Sequence, residues 1–209
     1  MPSYLGKYDG CASDRERKFF RAVDSFQNQT YENKELVIVS DGCATTNKLF
    51  DLHYLKEDFN IKLVYTTKKK IFSGKLRHLG IKEASGEIIC YLDTDDFFDK
   101  NHLKTIADAF ENDNTLDWVY YNDYIYKGDS EKPLTKIVEL EHGSIGTSSI
   151  AHKNNKTWFW GLPKVSWKGC DGYGHDWTFI QRLVAKYPNY KKIVGCGYYI
   201  CHLPNIWDK

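Results

Sequence analysis

An α/β fold, with a mostly parallel central sheet flanked by helices, is what this sequence predicts on three observations. Short apolar runs such as ELVIVSDG (35–42), IKLVYTT (61–67) and EIICYLD (87–93) read as strands, and the first and last are apolar on both faces. Each run alternates with a stretch of helical periodicity, the pattern of a parallel sheet covered on both sides. The third run, IICYLDTDDFFD (88–99), ends in three carboxylates within four residues, Asp93, Asp95 and Asp96. That is the strand end where ligands collect in open α/β sheets.

Taken in order, residues 1–13 carry Pro, Gly and Asp and read as a loop, with only Met1 to Tyr4 left for a first strand. Either that strand is very short or the chain is cut from something longer. Ser13 or Asp14 is placed to cap a helix over 15–28, with Phe19, Phe20, Val23 and Phe26 on one side. The strand at 35–42 leads to a helix near 45–57, the strand at 61–67, and a helix opened by Ser73 and ended near Gly86. The strand at 87–93 is followed by a helix over 101–111 and a strand over 117–125. Beyond Gly128 the pattern loosens. Short strands are expected at 134–140 and 146–152, a helix at 175–187, and one or two closing strands at 191–202. We therefore expect a single domain over 1–209, with an α/β half to residue 125 and a more irregular half from 126 to 209.

Composition narrows the function classes. The chain has 209 residues, with 42% hydrophobic and 27% charged, an ordinary globular balance. A net charge of +1 gives no global pull toward nucleic acid, and none is expected as a partner. The six cysteines include no CxxC pair and predict free thiols in a reducing compartment, although Cys196 and Cys201 can pair if two strands bring them together. No run approaches the length of an apolar membrane span, and the opening MPSYLGKYDG lacks the apolar core of a secretion signal. Cytoplasmic residence is the resulting expectation.

Three constellations carry candidate chemistry. Asp93 and Asp95 point the same way if extended geometry persists, and two hard oxygen donors there suit Mg2+ or Mn2+ with a substrate's phosphates completing the shell. A solvated turn, with Asp99 capping the next helix, explains the same residues. Asp41 ends the earlier strand on the same sheet edge, where it can accept a hydrogen bond from a base or sugar, or simply cap the turn at Gly42. Tyr4 can stack on a base. The basic stretch TTKKKIFSGKLRHLG (66–80) offers Lys75 and Arg77 to a diphosphate, while Lys68, Lys69 and Lys70 are expected to face solvent or to clamp phosphate only transiently. No phosphate-binding loop or dinucleotide fingerprint is present. In WKGCDGYGHDWTFI (167–180), a glycine-rich loop leads to His175 and Asp176 at a helix start, which suits a general base beside an acceptor-binding lid or a plain helix cap. Trp167, Tyr173 and Trp177 can form a sugar platform or pack. His202 is a further candidate metal or phosphate contact.

Together these segments resemble a family 2 glycosyltransferase of the GT-A fold. PSYL (2–5) is similar to the end of that family's first strand, and AVDSFQNQTYENKELVIVSDG (22–42) to its helix, QTY turn and second strand. GKLRHLGIKEASGEIICYLDTDD (74–96) resembles its arginine-bearing helix, A-x-G-E turn and DxD strand. The resemblance implies inverting transfer from a sugar nucleotide, UDP-sugar preferred, with Mn2+ or Mg2+, to a glycan, protein or lipid-linked acceptor. It implies that Tyr4 and Asp41 contact the nucleoside, Arg77 lies near the nucleotide, Asp93 approaches the ribose or donor sugar, and Asp95 ligates the cation. Asp176 would be the base and His202 a late ligand near the metal. Ser40 stands where the family commonly has aspartate, and His175 replaces the usual acidic neighbour of the base. A sugar-phosphate nucleotidyltransferase and a non-enzymatic carbohydrate-binding module are the alternatives.

Overall fold

The computed structural model describes residues 1–8, 11, 13–55, 60–68, 73–126, 133–156 and 175–201, with the side chain of His175 outside the description. The first half runs β1 (Pro2–Ser3), α1 (Arg15–Gln27), β2 (Leu36–Asp41), α2 (Ala44–His53), β3 (Ile61–Thr66), α3 (Ser73–Glu83), β4 (Ile88–Cys90), β5 (Phe97–Phe98) and α4 (His102–Asn112). It continues with β6 (Trp118–Tyr120), β7 (Asp123–Ile125), β8 (Leu134–Lys136), a 3-10 turn (Thr147–Ser149), β9 (Ile150–Lys153), α5 (His175–Lys186), β10 (Tyr190–Lys192) and β11 (Tyr198–Ile200).

Strands β1, β2 and β3 form an all-parallel sheet in that order, in register from Leu36 opposite Ile61 to Asp41 opposite Thr66. Every residue of β2 is buried. Its side chains alternate between two cores as strand geometry requires. Leu36 and Ile38 join Phe19, Val23 and Phe26 of α1 and Leu49 and Phe50 of α2. Val37 and Val39 join Leu76 and Ile81 of α3 and Ile180 and Leu183 of α5. Each such side chain contributes about 1.5–3 kcal/mol by leaving water. The helices thus lie on both faces, as the periodicity implies.

The first strand is present and short, pairing Pro2 with Val39 and Ser3 with Ser40. Three expectations change. The strand read over 117–125 is two strands in two sheets. One sheet has the order β10-β6-β9-β4, with β9 antiparallel to both neighbours; the other has the order β5-β11-β7-β8. The break falls at Tyr121, whose N–H donates to the Ser149 carbonyl at 3.0 Å and whose hydroxyl donates to the Ile150 carbonyl at 3.2 Å. The parallel expectation therefore holds for the first sheet, while the rest is mixed. The strand read over 87–93 ends at Cys90, because the backbone beyond it bonds to a tyrosine hydroxyl and turns. Asp14 occupies the N-cap position of α1 but has left-handed φ 53° and no capping hydrogen bond; its carboxylate pairs with Arg17 at 3.6 Å instead.

Two tethers place the site. Glu35 accepts from the N–H groups of Ser85 and Gly86 and from Lys62, tying the start of β2 to β3 and to the α3–β4 turn. Partial burial would raise its pKa, but these donors outweigh it and pull the carboxyl down to about 2. Gly42, after β2, has φ 60°, and a Cβ there would lie 2.2 Å from the Lys68 backbone nitrogen. Only glycine allows the ends of β2 and β3 to approach this closely. Cys196 and Cys201 are free thiols. Among the described residues, no helix is long and apolar enough to cross a membrane.

Candidate active site

The ends of β1 and β2, helix α3 and the turn after β4 enclose a cleft of about 390 Å3. Tyr4, Asp41, Arg77, Asp93 and Asp95 all line it, so five residues from four separate stretches of sequence meet there. Lys75 does not line it and is exposed on α3. His202, Asp171, Trp167 and Tyr173 lie outside the described residues. Trp177 packs against the core cluster under α3 and α5, with His142 at its edge 6.1 Å away.

Parallel register carries Asp41 to this edge, and burial makes it demanding. Its side chain is only 6% exposed. Oδ2 is paired with the Lys68 ammonium, while Oδ1 is buried without a hydrogen-bond partner. An orphaned carboxylate oxygen costs about 1–3 kcal/mol or more, so its placement in a cleft points to a ligand N–H or O–H. The Lys68 ammonium also sits 3.7 Å from the Tyr4 ring centroid, a cation–π contact. Lys68, half exposed as the sequence reading expected, therefore also bridges the two groups expected to meet a nucleoside, a contact that reading did not include. Its position two residues after the end of β3, on the same sheet edge as Asp41, was the available signal. Arg15, also overlooked, donates to the Tyr4 carbonyl and to the Tyr8 hydroxyl at 3.1 Å, which fixes the cleft's outer wall.

Arg77 is the hub. Its side chain is 5% exposed, and Nη2 donates to both Asp93 oxygens at 2.7 and 3.0 Å. Nη1 donates to Ser73 Oγ at 2.6 Å and lies 3.5 Å from Asp176 Oδ1. Burial alone would lower its pKa, but Asp93 and then Asp176 more than offset this and hold it charged. Asp176 itself sits in the first turn of α5, where the helix dipole favours an anion, and is 30% exposed. One buried cation thus joins the acidic turn of the first half to the candidate base of the second.

The three clustered carboxylates are separated by their partners. Asp93 is held by Arg77. Asp96 is buried, accepting from the Tyr198 hydroxyl at 2.9 Å and the Cys201 N–H at 2.7 Å. Burial first, then repulsion by Asp95 and Asp93, raises its pKa well above the usual carboxylate range. Asp95 lines the cleft, its carbonyl held by Arg21 at 2.7 Å. Extended geometry does not persist: Asp96 N–H donates to the Asp93 carbonyl at 3.2 Å, closing a turn. Asp93 and Asp95 nevertheless face one cleft. Among the described residues, no three His, Cys, Asp or Glu side chains are arranged to hold a metal ion. The donor set still fits Mg2+ or Mn2+, which commonly bind through one or two carboxylates plus substrate phosphates.

Ser40, which replaces the family's common aspartate, is fully buried, and its hydroxyl accepts from the Cys43 N–H at 3.2 Å at the start of α2. It serves the turn that presents Asp41.

Known proteins agree with this architecture. The model of glycosyl transferase family 2 matches residues 14–194. An uncharacterized glycosyltransferase of Rickettsia bellii is 36% identical over 97 residues, which is 46% of this chain and 14% of that protein. The structure of Staphylococcus aureus TarS 1-349 with UDP superposes at a TM-score of 0.69 and 18% identity, covering 95% of this chain and 58% of that one. GalNAc-T7 with UDP, GalNAc and Mn2+ superposes at 0.64 and 12% identity, covering 99% of this chain and 44% of that one. The chain therefore spans less than two thirds of each of these proteins, and the structural likeness establishes the GT-A fold. With the family match running from the first helix to beyond the last, the chain belongs to glycosyl transferase family 2.

Proposed function

We propose that this glycosyltransferase is inverting and divalent-metal-dependent, and moves a sugar from a nucleoside diphosphate, UDP preferred, to a hydroxyl of a glycan, protein or lipid-linked acceptor. The observation that carries the reading is the Asp93–Arg77–Asp176 chain of contacts, which joins the donor-side turn to a carboxylate at the start of α5. Residues 1–125 would serve the donor and 126–209 the acceptor, within one cytoplasmic catalytic domain.

In this reading Tyr4 stacks on the base and Asp41 Oδ1 accepts from its edge. Lys68 yields that place when the nucleotide enters. Arg77 keeps Asp93 toward the donor sugar. Asp176 takes the proton as the acceptor oxygen attacks the anomeric carbon. The carbon–oxygen bond to the diphosphate breaks with its electron pair leaving on the nucleotide. Mn2+ or Mg2+, held by Asp95 with Asp93 and His202 as further donors, would supply positive charge to that leaving group. UDP preference and metal use draw on the UDP and Mn2+ bound to the structural neighbours.

The test is a panel of UDP-, dTDP- and GDP-sugars with Mn2+, together with Asp176→Asn. The variant should keep its UDP affinity and lose about 100- to 10,000-fold in turnover. Near wild-type turnover would remove Asp176 as base. Pyrophosphate-dependent nucleotide exchange would instead favour a nucleotidyltransferase, and undiminished turnover in chelator would end the metal assignment.

A further inference from the structure

The turn beside Asp176 holds polar groups to which the donor reading gives no role. Gly146 precedes the 3-10 turn with extended φ −134° and ψ −172°, so its backbone does not demand glycine. Among the described residues, what it leaves is space. A Cβ at Gly146 would stand 3.8 Å from Asp176 Oδ2 and 3.8 Å from Ser148 Oγ, and among the described residues no third neighbouring atom comes within 4 Å of that point. Ser148 Oγ donates to Asp123 Oδ2 at 3.1 Å and lies 3.4 Å from Ser149 Oγ. Ser149 Oγ donates to the same Asp123 oxygen at 2.7 Å, and Lys136 Nζ lies 3.5 Å from it. Asp123 is fully buried, and its Oδ1 has no hydrogen-bond partner. Desolvating a carboxylate merely to hold a turn is unfavourable against an apolar alternative. Its effect here is directional: with its proton committed to Asp123, the Ser148 hydroxyl turns lone pairs outward, where they accept rather than donate.

We propose that the open side of Gly146 is an acceptor subsite for a polyol or sugar bearing two neighbouring hydroxyls. One hydroxyl donates to Asp176 Oδ2 and is the nucleophile; the other donates to Ser148 Oγ, with Asp123 as the positioning residue behind it. This rests on the reading of Asp176 as base. As the nucleophilic O–H bond breaks, its proton goes to Asp176. The oxygen bonds the anomeric carbon, and the nucleoside diphosphate leaves with the electrons of the broken bond. A lone alcohol satisfies only Asp176 and leaves Ser148 unused, so the subsite selects for a diol.

The experiment uses the full chain with Mn2+ and the nucleotide sugar it consumes fastest. Glycerol or 1-propanol is supplied at equal concentration, and the ratio of glycosylated alcohol to free sugar is measured. Wild type should favour glycerol about tenfold over 1-propanol, the worth of one well-made hydrogen bond. Ser148→Ala should bring glycerol down to the 1-propanol ratio, and Asp123→Asn should move it the same way. Gly146→Val should lower both ratios by filling the notch. Equal wild-type ratios for the two alcohols, or a glycerol preference that survives Ser148→Ala, overturns the subsite. Because each ratio is taken within one variant, that result is separate from the failure of the base itself, which shows as Asp176→Asn consuming donor at the wild-type rate.

Discussion

The parallel sheet β1–β3 and the mixed sheets that follow it place functional groups by different means. In the first, register does the work: Ser3, Ser40 and Tyr65 stand in one row, and strands that end together deliver Tyr4, Asp41 and Lys68 to one edge. In the second, the chain leaves one sheet for another at Tyr121–Asn122 and returns through the Thr147–Ser149 turn, so Asp123 and Ser148 meet from 25 residues apart. Parallel order presents a row of groups that local sequence announces. Sheet switching brings together residues whose sequence neighbours give no hint of one another. Arg77 is where the two regions join.

Removing that junction should have the largest effect on stability. Arg77→Ala leaves Asp93 and Asp176 without their shared buried cation and should destabilise the fold by about 3–5 kcal/mol, read by denaturant unfolding. Adding Asp93→Asn should recover part of it. If the double variant is no more stable than Arg77→Ala, the two regions are not coupled through this charge.

Gly42→Ala tests the parallel side alone. Left-handed backbone and the Lys68 contact together should cost about 2–4 kcal/mol. A neutral result would show that β2 and β3 can part at this end without loss. It would also free Lys68 from the role given to it.

Acid offers the gentlest separation. His102 and His152 are buried outside the parallel sheet, and burial lowers their pKa values from 6.5 to about 3 and about 4. Between those values and 6.5 the unfolded chain binds protons that the native chain refuses, so stability falls as pH falls. The loss is about 1 kcal/mol per group at pH 6 and grows below it. Glu35, on the parallel side and held near 2, weakens the fold only as pH drops below its unfolded value of about 4.5. Hydrogen exchange between pH 6 and 4.5 should therefore show α4 and β9 losing protection before β2 and β3. Simultaneous loss would mean that the two regions open as one unit.

Much of the first region was legible. The continuous apolar run of β2, the periodic faces of α1 and α4, and carboxylates at strand ends follow from local patterning that tertiary contacts reinforce. The Asp14 cap failed because its side chain found Arg17 rather than the helix amides. Lys68 is half exposed, as read, but its pairing with Asp41 was missed because sequence shows a basic run and a strand end without showing which lysine reaches the carboxylate.

By itself the sequence determined the alternation of strand and helix, the two-faced burial of β2 and the cluster of carboxylates after β4, because each depends on spacing within about ten residues. The tertiary structure alone decided that Arg77 would lock Asp93 to Asp176, that Asp96 would be buried under Tyr198, and that Asp123 would stand behind Ser148. Those pairings depend on which charges share a desolvated space, and only the folded chain defines that space.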